Sequence, residues 1–475
     1  MTGRPTDREP NGSFDDVVVV SNRGPLSFRQ DPDGQLIRSQ AAGGLAGSLY
    51  PIMAGTGATW VACALSDADR LASAQGLMVE DGLRIELLDL APDVYRMAYD
   101  VVSNATLWFC HHHLFDAARR PRSDGRWSEA WEAYREYNRL FAERVAEVAP
   151  EGGRVLVQDY HLTLVGSELA RERPDLKTVH FTHTPFADPS VLRMLPTAVV
   201  DELLAGMAGF GACGFHTERW AAGYRACHDA LSPDRARPPT FVSGLAPDPD
   251  HLIASITQPG VAEARARLES EVGGPDRQMI LRVDRMELSK NLLRGFWAYE
   301  ELLANEPGWR ERVVFVALAY PSRQGLAEYL GYQNEVESTV ARINERWATP
   351  GWTPIVLHVE DDYPRSLAAL TCYDVLLVNP IRDGMNLVAK EGPLVNGNDG
   401  VLALSREAGA FEELAGPAVE INPFDVGGTA AVLARALSMG ADERAAAAKS
   451  LRALVTARSP ADWFDDQLEQ ADRIG

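Results

Sequence analysis

A chain of 475 residues exceeds the roughly 250–300 residues at which one hydrophobic core stops growing, which excludes a single ordinary domain and predicts two. Hydrophobic residues make up 46% and charged residues 24%, as in ordinary globular proteins. The net charge of −21 argues against a nucleic-acid partner, because phosphate backbones need basic surfaces, although a few cations in a cleft can still bind an anionic small molecule.

The N-terminal segment is polar and rich in turn-forming residues, which predicts a disordered tail over residues 1–14 and no signal sequence. No later stretch has the length of a membrane span, so we expect no membrane partner. The cysteines are scattered, without a C-x-x-C pair or an even framework, and therefore predict reduced thiols and a cytoplasmic location. They are Cys63, Cys110, Cys213, Cys227 and Cys372.

Short apolar runs recur along the chain, and helical patterns follow them. The runs are continuous rather than alternating, which is typical of parallel strands that helices cover on both faces. We therefore predict an α/β fold with mostly parallel, doubly wound sheets. The predicted strands are residues 17–20, 154–157, 178–181, 279–283, 313–318, 354–359, 375–378 and 400–404.

A turn-rich segment over residues 244–250 separates two such series, and a helical pattern over residues 261–272 leads to a fresh strand. This predicts one domain over residues 15–250 and a second beginning at residue 251. Ligands of parallel α/β sheets bind at the carboxyl ends of the strands. Two such domains facing each other would form a cleft lined by the loops that follow the strands.

Polar residues follow the strands of the first half. The first strand ends in Ser21-Asn22-Arg23, and a glycine-rich turn over residues 41–47 leads into a helix, where glycines let the backbone approach an anion. That turn is equally typical of a tight loop without a ligand. Asp159 and His183 end two successive strands, so we expect the carboxylate to accept from sugar hydroxyls and the imidazole to donate to a sugar oxygen or support charge in the transition state.

Cations and a glycine turn follow the strands of the second half. Arg285 and Lys290 lie just past one strand, where they can grip a diphosphate from two sides, and Arg323 follows the next strand. A later strand runs into residues 382–391, where a glycine precedes a helix start whose free amides can bind phosphate oxygens. Glu391 can accept from the two hydroxyls of a ribose, and is equally typical of a surface helix residue.

Two further groups carry weaker signals. The acidic run Glu360-Asp361-Asp362 has the composition of a cation site, but a solvated loop is the favoured interpretation. The run His111-His112-His113 lacks helical ligand spacing and a carboxylate partner, so we interpret it as an edge of the acceptor region or as structure. We expect no metal and no cofactor.

Together these residues resemble the trehalose-6-phosphate synthases of glycosyltransferase family 20, over about residues 15–470. The resemblance implies a GT-B fold, in which two facing Rossmann-like domains enclose an interdomain cleft. It assigns the acceptor to the domain over residues 15–250, the nucleotide sugar to the domain over residues 251–457, and a helix over residues 458–475 that packs back on the first domain. The motifs are Ser21-Asn22-Arg23, Gly43-Gly44-Leu45, residues 103–108, residues 159–162, Arg285 with Lys290, and residues 382–391.

The resemblance also implies roles for individual residues. The donor diphosphate, its glucose and its ribose would contact Gly44, Arg285, Lys290, Asp383, Met385, Asn386, Leu387 and Glu391. The acceptor would contact Arg23, Tyr99, Trp108, Asp159 and Arg323. The catalytic residues would be Asp159, His183, Arg285, Lys290 and Asp383.

The implied reaction moves α-glucose from a nucleoside diphosphate to the anomeric hydroxyl of glucose 6-phosphate with retention, forming α,α-trehalose 6-phosphate. No protein nucleophile is expected, because the leaving phosphate would take the acceptor proton on the same face. The expected partners are GDP-glucose or UDP-glucose and glucose 6-phosphate, and a homo-oligomer is left open.

Three departures from the family pattern qualify these expectations. The Trp-x-x-Trp of the family reads Trp60-Val61-Ala62-Cys63, so one acceptor-side aromatic is missing, and Asn291 replaces a glycine after Lys290. Residues 392–396 are similar to actinobacterial members and to the pseudo-glycosyltransferase that makes validoxylamine 7′-phosphate, which favours a GDP-linked donor. Two alternatives stay open: a pseudo-glycosyltransferase that couples a GDP-cyclitol to an aminocyclitol phosphate, and a non-catalytic homologue that senses sugar phosphates.

Overall fold

The structure, a computed structural model, describes residues 14–40, 44–75, 78–80, 82–274 and 276–474, so residues 1–13 of the predicted tail lie outside the described residues. The chain forms two compact units. Unit 1 comprises the residues up to His111, Phe115–Ser243 and the residues from Pro460 onward, and unit 2 comprises His112–Leu114 and Gly244–Ser459.

The units divide after Ser243 and Ser459 rather than after residues 250 and 457. The first division comes earlier because the carbonyl of Leu245 already accepts a hydrogen bond from Lys390 Nζ of unit 2 (2.9 Å). The second coincides with the start of the C-terminal helix at Pro460.

Unit 1 contains an eight-stranded sheet and a separate hairpin. Its strands are β1 (Val17–Arg23), β2 (Leu26–Gln30), β3 (Leu36–Gln40), β4 (Thr59–Cys63), β5 (Met78–Glu80), β6 (Leu83–Leu88), β7 (Arg154–Gln158), β8 (Lys177–Thr182), β9 (Ala212–Phe215) and β10 (Thr240–Val242). The sheet order is β10-β9-β8-β7-β1-β4-β6-β5, parallel except for β5, while β2 and β3 pair antiparallel. The valines at 17–20 of the central β1 are at most 1% exposed, as expected for a strand covered on both faces.

Helices of unit 1 cover this sheet. They are α1 (Gly44–Met53), α2 (Asp67–Ser73), α3 (Pro92–Arg96), α4 (Trp108–His111), α5 (Gly125–Val148), α6 (Val165–Glu172), α7 (Pro189–Leu192), α8 (Thr197–Ala208) and α9 (Glu218–Leu231). A π-helix over Met97–Leu107 joins α3 to α4, and a 3₁₀ turn over Tyr160–Leu162 follows β7. The long helix α5 begins at a side-chain cap, in which Asp124 accepts from the Trp127 N–H (3.2 Å).

Unit 2 has one six-stranded parallel sheet. Its strands are β11 (Gln278–Arg285), β12 (Val313–Tyr320), β13 (Ile355–His358), β14 (Val375–Val378), β15 (Val401–Ser405) and β16 (Val419–Ile421), in the order β13-β12-β11-β14-β15-β16. Its helices are α10 (Pro249–Ile256), α11 (Pro259–Val272), α12 (Leu292–Asn305), α13 (Ala327–Trp347), α14 (Tyr363–Leu370), α15 (Val388–Val395), α16 (Phe411–Leu414), α17 (Val426–Ser438) and α18 (Ala441–Val455). Short 3₁₀ turns cover Leu288–Lys290 and Pro307–Trp309.

The last helix, α19 (Pro460–Asp472), returns to unit 1 and contacts β7, β8 and α1. Trp463 and Phe464 are fully buried there, and Trp463 meets Phe181 of β8 edge-on, with 5.0 Å between ring centroids. Among the helices of the described ranges, none is long and apolar enough to cross a membrane.

Both sheets reverse their direction of winding beside their first strand. In unit 1 the chain runs from β1 outward through β4 and β6, and then returns to β7 on the other side of β1. In unit 2 it runs from β11 through β12 and β13, and returns to β14 on the other side of β11. Ligands of doubly wound sheets bind at the carboxyl ends of strands that flank such a reversal. The topology therefore points to the loops after β1 and β7, and after β11 and β14.

Candidate functional site

The turn after β7 holds Asp159 in a backbone conformation that normally requires glycine. Its φ of 73° and ψ of 167° lie in a region that costs a non-glycine residue about 1–3 kcal/mol. Hydrogen bonds to neighbouring elements stabilise it. The Asp159 N–H donates to the Phe181 carbonyl (2.7 Å), its carbonyl accepts from His180 Nε2 (3.1 Å) and from the Leu162 N–H (3.2 Å), and its Oδ1 accepts from the His183 N–H (3.2 Å). Strain that its surroundings hold in place at a strand end is typical of a functional position.

The ring of His183 lies beside Asp159, and both of its nitrogens face protein groups. Nε2 lies 3.0 Å from Gln158 Oε1, and Nδ1 lies 3.2 Å from Nε2 of His216. Burial, and then the nearby His216, lower the pKa of His183 well below its usual range, so the ring is neutral at pH 7. Its two neighbours favour different tautomers. Gln158 Oε1 accepts a proton carried on Nε2, whereas a neutral His216, whose Nδ1 lies 3.4 Å from the Ser243 carbonyl, accepts a proton carried on Nδ1. The expected contact of this ring to a sugar oxygen requires a change of partner and stays a prediction.

Tyr99, predicted to contact the acceptor, belongs to a column of aromatic rings. It stacks on Tyr95 (5.2 Å between centroids, 15° between planes) and on His161 (5.5 Å, 14°), and His161 stacks on Tyr160 (4.1 Å). His161 Nδ1 also lies 3.9 Å from Asp159 Oδ2. The column thus brings the π-helix and the turn after β7 together, with both Tyr99 and Asp159 near the His161 ring.

The other predicted acceptor residues of unit 1 differ in exposure. Arg23 is the exposed last residue of β1, and its guanidinium has no hydrogen bond or ion pair to any residue in the described ranges. Trp108 begins α4 and is only 2% exposed, so its indole belongs to the interior. Ser21 Oγ donates to the Arg23 carbonyl (2.7 Å) and accepts from Trp60 Nε1 (2.8 Å), which fixes the strand end. Cys63 pairs with Arg23 in the sheet register, at the position where the family pattern has a second tryptophan.

In unit 2, one buried carboxylate contacts two arginines that are predicted to bind phosphate. Glu287, 1% exposed, lies 3.0 Å from Arg285 Nη1 and 3.4 Å from Arg323 Nη1, and it accepts from Ser322 Oγ (3.1 Å). Burial raises the pKa of Glu287, but the charges of Arg285 and Arg323 outweigh burial and lower it, so the carboxylate is ionised at pH 7. The Arg285 side chain remains 44% exposed, so most of its donors face outward.

Lys290 and Asp383 form a close pair across the reversal between β11 and β14. Lys290 Nζ lies 2.6 Å from Asp383 Oδ2, which also accepts from Asn386 Nδ2 (3.1 Å). Behind them, the fully buried Arg282 pairs with Asp284 (2.8 Å) and donates to the Lys290 carbonyl (2.8 Å). This fixes the turn that carries the ammonium, and two of its three donors remain for a ligand.

The start of α15 presents a row of backbone donors. Among the described residues, none accepts a hydrogen bond from the N–H groups of Met385, Asn386 or Leu387. Asn386 has a φ of 79°, a left-handed conformation that alternates with right-handed neighbours in anion-binding nests, and its Oδ1 accepts from the Ala389 N–H (3.1 Å). Free amides, a helix start and the adjacent Lys290 together suit an anion.

Glu391 lies in the first turn of α15, partly buried. Its carboxylate has no hydrogen bond or ion pair to any residue that the structure describes, and burial raises its pKa from 4.5 to about 7. An unpaired carboxylate at a partly buried position is typical of a ligand-binding group, because its desolvation is otherwise uncompensated.

The remaining predicted groups divide into structural residues and untested ones. Gly44 begins α1, but residues 41–43 of the glycine-rich turn lie outside the described residues, so its donor role stays a prediction. In the acidic run, Glu360 pairs with Arg365 (2.5 Å) and Asp362 caps α14. His111 Nδ1 accepts from the Ala187 N–H (3.2 Å). No group of three or more potential metal ligands occurs in the described part of the chain, and the expectation that no metal is needed stays a prediction.

Sequence reasoning missed several buried residues of these clusters, among them Glu287, Gln158 and Gln467. Glu287 had an available signal, since it lies two positions after Arg285. Gln158 directly precedes Asp159, yet its contact with His183 depends on the pairing of β7 with β8. Gln467, which bonds to Gln158, is 309 positions away, and nothing in the local sequence marks it.

Comparison with known proteins identifies similar chains. The sequence matches the family model of glycosyltransferase family 20 over residues 15–473. It is 32% identical over 472 residues to the bifunctional trehalose-6-phosphate synthase/phosphatase of Thermoproteus tenax, with 95% of this chain and 62% of that protein covered, so it spans less than two thirds of that relative. The trehalose-6-phosphate synthase of Mycolicibacterium smegmatis is 31% identical over 471 residues, with 94% and 90% covered.

Solved structures agree with these relatives. Trehalose-6-phosphate synthase from E. coli bound with UDP-2-fluoro glucose has a TM-score of 0.82 and 27% identity, with 97% of this chain and 99% of that chain covered. The UDP-forming α,α-trehalose-phosphate synthase of Burkholderia xenovorans in complex with glucose-6-phosphate has a TM-score of 0.82 and 28% identity, with 96% and 99% covered.

Proposed function

The chain belongs to glycosyltransferase family 20, and we propose that it transfers α-glucose with retention from GDP-glucose, in preference to UDP-glucose, to glucose 6-phosphate. Its activity is that of a trehalose-6-phosphate synthase, a hexosyltransferase that forms trehalose 6-phosphate. The fold is that of the GT-B glycosyltransferases in this family. The observation that carries the residue-level proposal is the row of free amides at the start of α15, beside the Lys290–Asp383 pair.

For the donor, we assign the diphosphate to Arg285, Lys290 and the amides of Met385, Asn386 and Leu387. Charge on the leaving diphosphate grows in the transition state, so cations held in advance by Glu287 and Asp383 lower the barrier as well as binding the donor. Glu391 accepts from the ribose hydroxyls, and Asp383 from the glucose hydroxyls. We also assign Gly44 to the donor.

For the acceptor, we assign the 6-phosphate to Arg23, whose guanidinium has no partner within the described ranges, and to Arg323. Tyr99 offers a flat face that suits a pyranose ring, and the buried Trp108 shapes the sugar pocket from the interior. Asp159 orients the acceptor through its second carboxylate oxygen, and His183 supports that loop next to the reacting carbon. The leaving phosphate receives the acceptor proton, so no protein nucleophile is required.

The preference for GDP-glucose is supported by residues 392–396, which read Gly-Pro-Leu-Val-Asn as in the GDP-linked branch of the resemblance. The solved relatives named above carry UDP compounds or are UDP-forming, so both nucleotides belong in any test. The donors differ only in the base, and the diphosphate contacts proposed here serve either one.

The test of the reaction is to mix the protein with glucose 6-phosphate and GDP-glucose or UDP-glucose and to identify the product by NMR. An α,α-linked disaccharide phosphate is expected. Coupling of a GDP-cyclitol to an aminocyclitol phosphate without glucosyl transfer would favour the pseudo-glycosyltransferase alternative. Calorimetric binding of both sugars without any product would favour the sugar-phosphate-sensing alternative.

The two arginines bound to Glu287 separate the donor and acceptor assignments. Arg285→Ala should lower kcat by about 100-fold or more and weaken acceptor binding far less, because it removes charge stabilisation of the leaving group. Arg323→Ala should raise the KM for glucose 6-phosphate while sparing donor binding. Steady-state kinetics with each substrate varied in turn checks both, and equal losses of kcat and acceptor affinity in Arg285→Ala would contradict its diphosphate role.

A further inference from the structure

A buried pair of glutamines connects α19 to the predicted catalytic turn of unit 1. Gln467 on α19 is fully buried, and its Oε1 accepts from Nε2 of Gln158 at 3.0 Å. Gln158, 1% exposed, ends β7 directly before Asp159, and its Oε1 lies 3.0 Å from His183 Nε2. Two hydrogen bonds therefore separate the last helix of the chain from the His183 ring.

The direction of these hydrogen bonds is set from the helix side. Gln467 Nε2 faces the Trp463 carbonyl at 3.5 Å, and that carbonyl can only accept, so Oε1 of Gln467 turns toward Gln158. Gln158 must then donate to Gln467 and accept from His183. The flipped arrangement would set the Gln467 oxygen against the Trp463 carbonyl, so the pair of glutamines favours one orientation.

His183 transmits this orientation to the turn that carries Asp159. Gln158 favours the ring proton on Nε2, whereas a neutral His216, whose Nδ1 lies 3.4 Å from the Ser243 carbonyl, favours it on Nδ1. The backbone N–H of His183 donates to Asp159 Oδ1 at 3.2 Å. A flip of the Gln158 amide would place a donor against Nε2 and select the other tautomer of His183. The position of Asp159 and the tautomer of His183 thus depend on the same two glutamines.

We propose that Gln467 is a positioning residue, which acts through Gln158 to fix the tautomer of His183 and the geometry of the turn at Asp159. The inference rests on the proposed function, in which that turn orients the acceptor at the reacting carbon. The helix α19 then serves catalysis as well as packing, although it contributes no contact to substrate.

A second side-chain hydrogen bond of α19 offers a matched control. Asp466, the neighbour of Gln467 in sequence, accepts from Ser243 Oγ at 2.7 Å. Ser243→Ala removes a hydrogen bond that fastens α19, as Gln467→Met does, but it leaves the Gln158–His183 link intact. Methionine matches glutamine in length and volume, so Gln467→Met removes the hydrogen bond with little change in packing.

The experiment measures kcat, both KM values and Tm for wild type, Gln467→Met, Gln158→Met, the double variant and Ser243→Ala. We expect Gln467→Met to lower kcat about 10-fold with the donor KM little changed, because small displacements at a reacting centre are costly. The double variant should be no worse than Gln158→Met, and Ser243→Ala should keep its kcat even where its Tm falls.

A spectroscopic measurement on His183 is independent of turnover. With ¹⁵N-labelled histidine, assigned by comparison with His183→Asn, wild type should hold a larger share of the Nε2–H tautomer than Gln467→Met, which should shift toward the Nδ1–H tautomer that His216 favours. An unchanged tautomer, or a kcat loss in Gln467→Met no larger than in Ser243→Ala, would overturn the inference. Absence of turnover in wild type would instead overturn the proposed function, and the tautomer measurement would still decide the role of Gln467.

Discussion

At the scale of single residues, substitutions of Asp159 can distinguish its effect on stability from its effect on activity, because its backbone is strained. A glycine would relax at φ 73° and ψ 167°, whereas alanine would keep the strain, and both substitutions remove the carboxylate that holds the His183 N–H. The backbone strain at Asp159 therefore lowers the stability of the fold. The side-chain contacts of the aspartate and its proposed role in the reaction explain why this residue is present.

We expect Asp159→Gly to be more stable than Asp159→Ala by about 1 kcal/mol, while both lose at least about 100-fold in kcat. Urea unfolding of the two variants, alongside steady-state kinetics, measures both quantities. Equal free energies of unfolding for the two variants would show that the backbone at Asp159 is not strained, and full activity in either would remove the carboxylate from the mechanism.

Glu391 gives a pH dependence with a defined sign. Burial raises its pKa from 4.5 to about 7, and only the ionised carboxylate can accept from both ribose hydroxyls. The KM for the nucleotide sugar should therefore rise as the pH falls below about 7, and Glu391→Gln should show a raised KM without that dependence. Isothermal titration with the nucleoside diphosphate between pH 5.5 and 8.5 checks this, and a wild-type affinity independent of pH would contradict the assignment.

The same pKa affects stability in the absence of donor. Between pH 4.5 and about 7 the folded protein holds a proton on Glu391 that the unfolded chain has released. The contribution of this group to the free energy of unfolding is therefore lost as the pH rises through that window. Glu391→Gln should be stabilised relative to wild type at pH 8 and much less so at pH 4.5.

At the scale of secondary-structure elements, the turn between β11 and α12 explains one departure from the family pattern. Asn291 has a φ of 60°, a left-handed conformation that glycine adopts without strain and that asparagine tolerates best among the other residues. Its Nδ2 donates to the carbonyls of Asn379 (3.0 Å) and Pro423 (2.8 Å). The asparagine therefore preserves the turn that presents Lys290 and adds two ties to neighbouring loops.

We expect Asn291→Ala to be less stable than Asn291→Gly by about 1 kcal/mol. Both variants lose the two side-chain hydrogen bonds, but alanine keeps the left-handed strain, whereas glycine relieves it. Thermal unfolding of the two variants measures the difference. A result in which alanine is the more stable of the pair would contradict the left-handed turn beside Lys290.

Elements built from continuous apolar runs could be predicted from sequence, and each of the eight predicted runs falls on a strand. Of the strands that were missed, β4 has such a run, Thr-Trp-Val-Ala-Cys, and was overlooked, whereas others lack the pattern. β9 reads Ala-Cys-Gly-Phe, with no β-branched residue, and the hairpin β2–β3 is polar on one face. Residues of the site that directly follow a strand were also predictable, because the topology of a parallel sheet places them at one edge.

The rest of the site depends on contacts between distant parts of the chain. The glycine-like backbone of Asp159 arises from the pairing of β7 with β8, and the burial of Glu287 depends on the loop that carries Arg323. Gln467 reaches Gln158 only because α19 returns to unit 1. No local sequence pattern predicts these contacts, because each residue fits its own helix, strand or turn whether or not the distant partner is there.

At the scale of the whole molecule, each unit places its chemistry at the reversal of its own sheet. Unit 1 carries Arg23, Tyr99 and Asp159 there, and unit 2 carries Arg285, Lys290 and the start of α15. A sugar phosphate and a nucleoside diphosphate sugar are two anionic ligands that suit these two sets. The proposed enzyme thus combines an acceptor set and a donor set that the same topological rule positions in both units.

The most direct test of this account is the ratio kcat/KM for GDP-, UDP- and ADP-glucose, each measured with glucose 6-phosphate as acceptor and with trehalose 6-phosphate quantified as product. The account predicts trehalose 6-phosphate from GDP-glucose at the highest kcat/KM, with UDP-glucose second. A higher value for UDP-glucose would contradict the donor preference alone. No trehalose 6-phosphate from any of the three donors would contradict the glucosyl transfer itself.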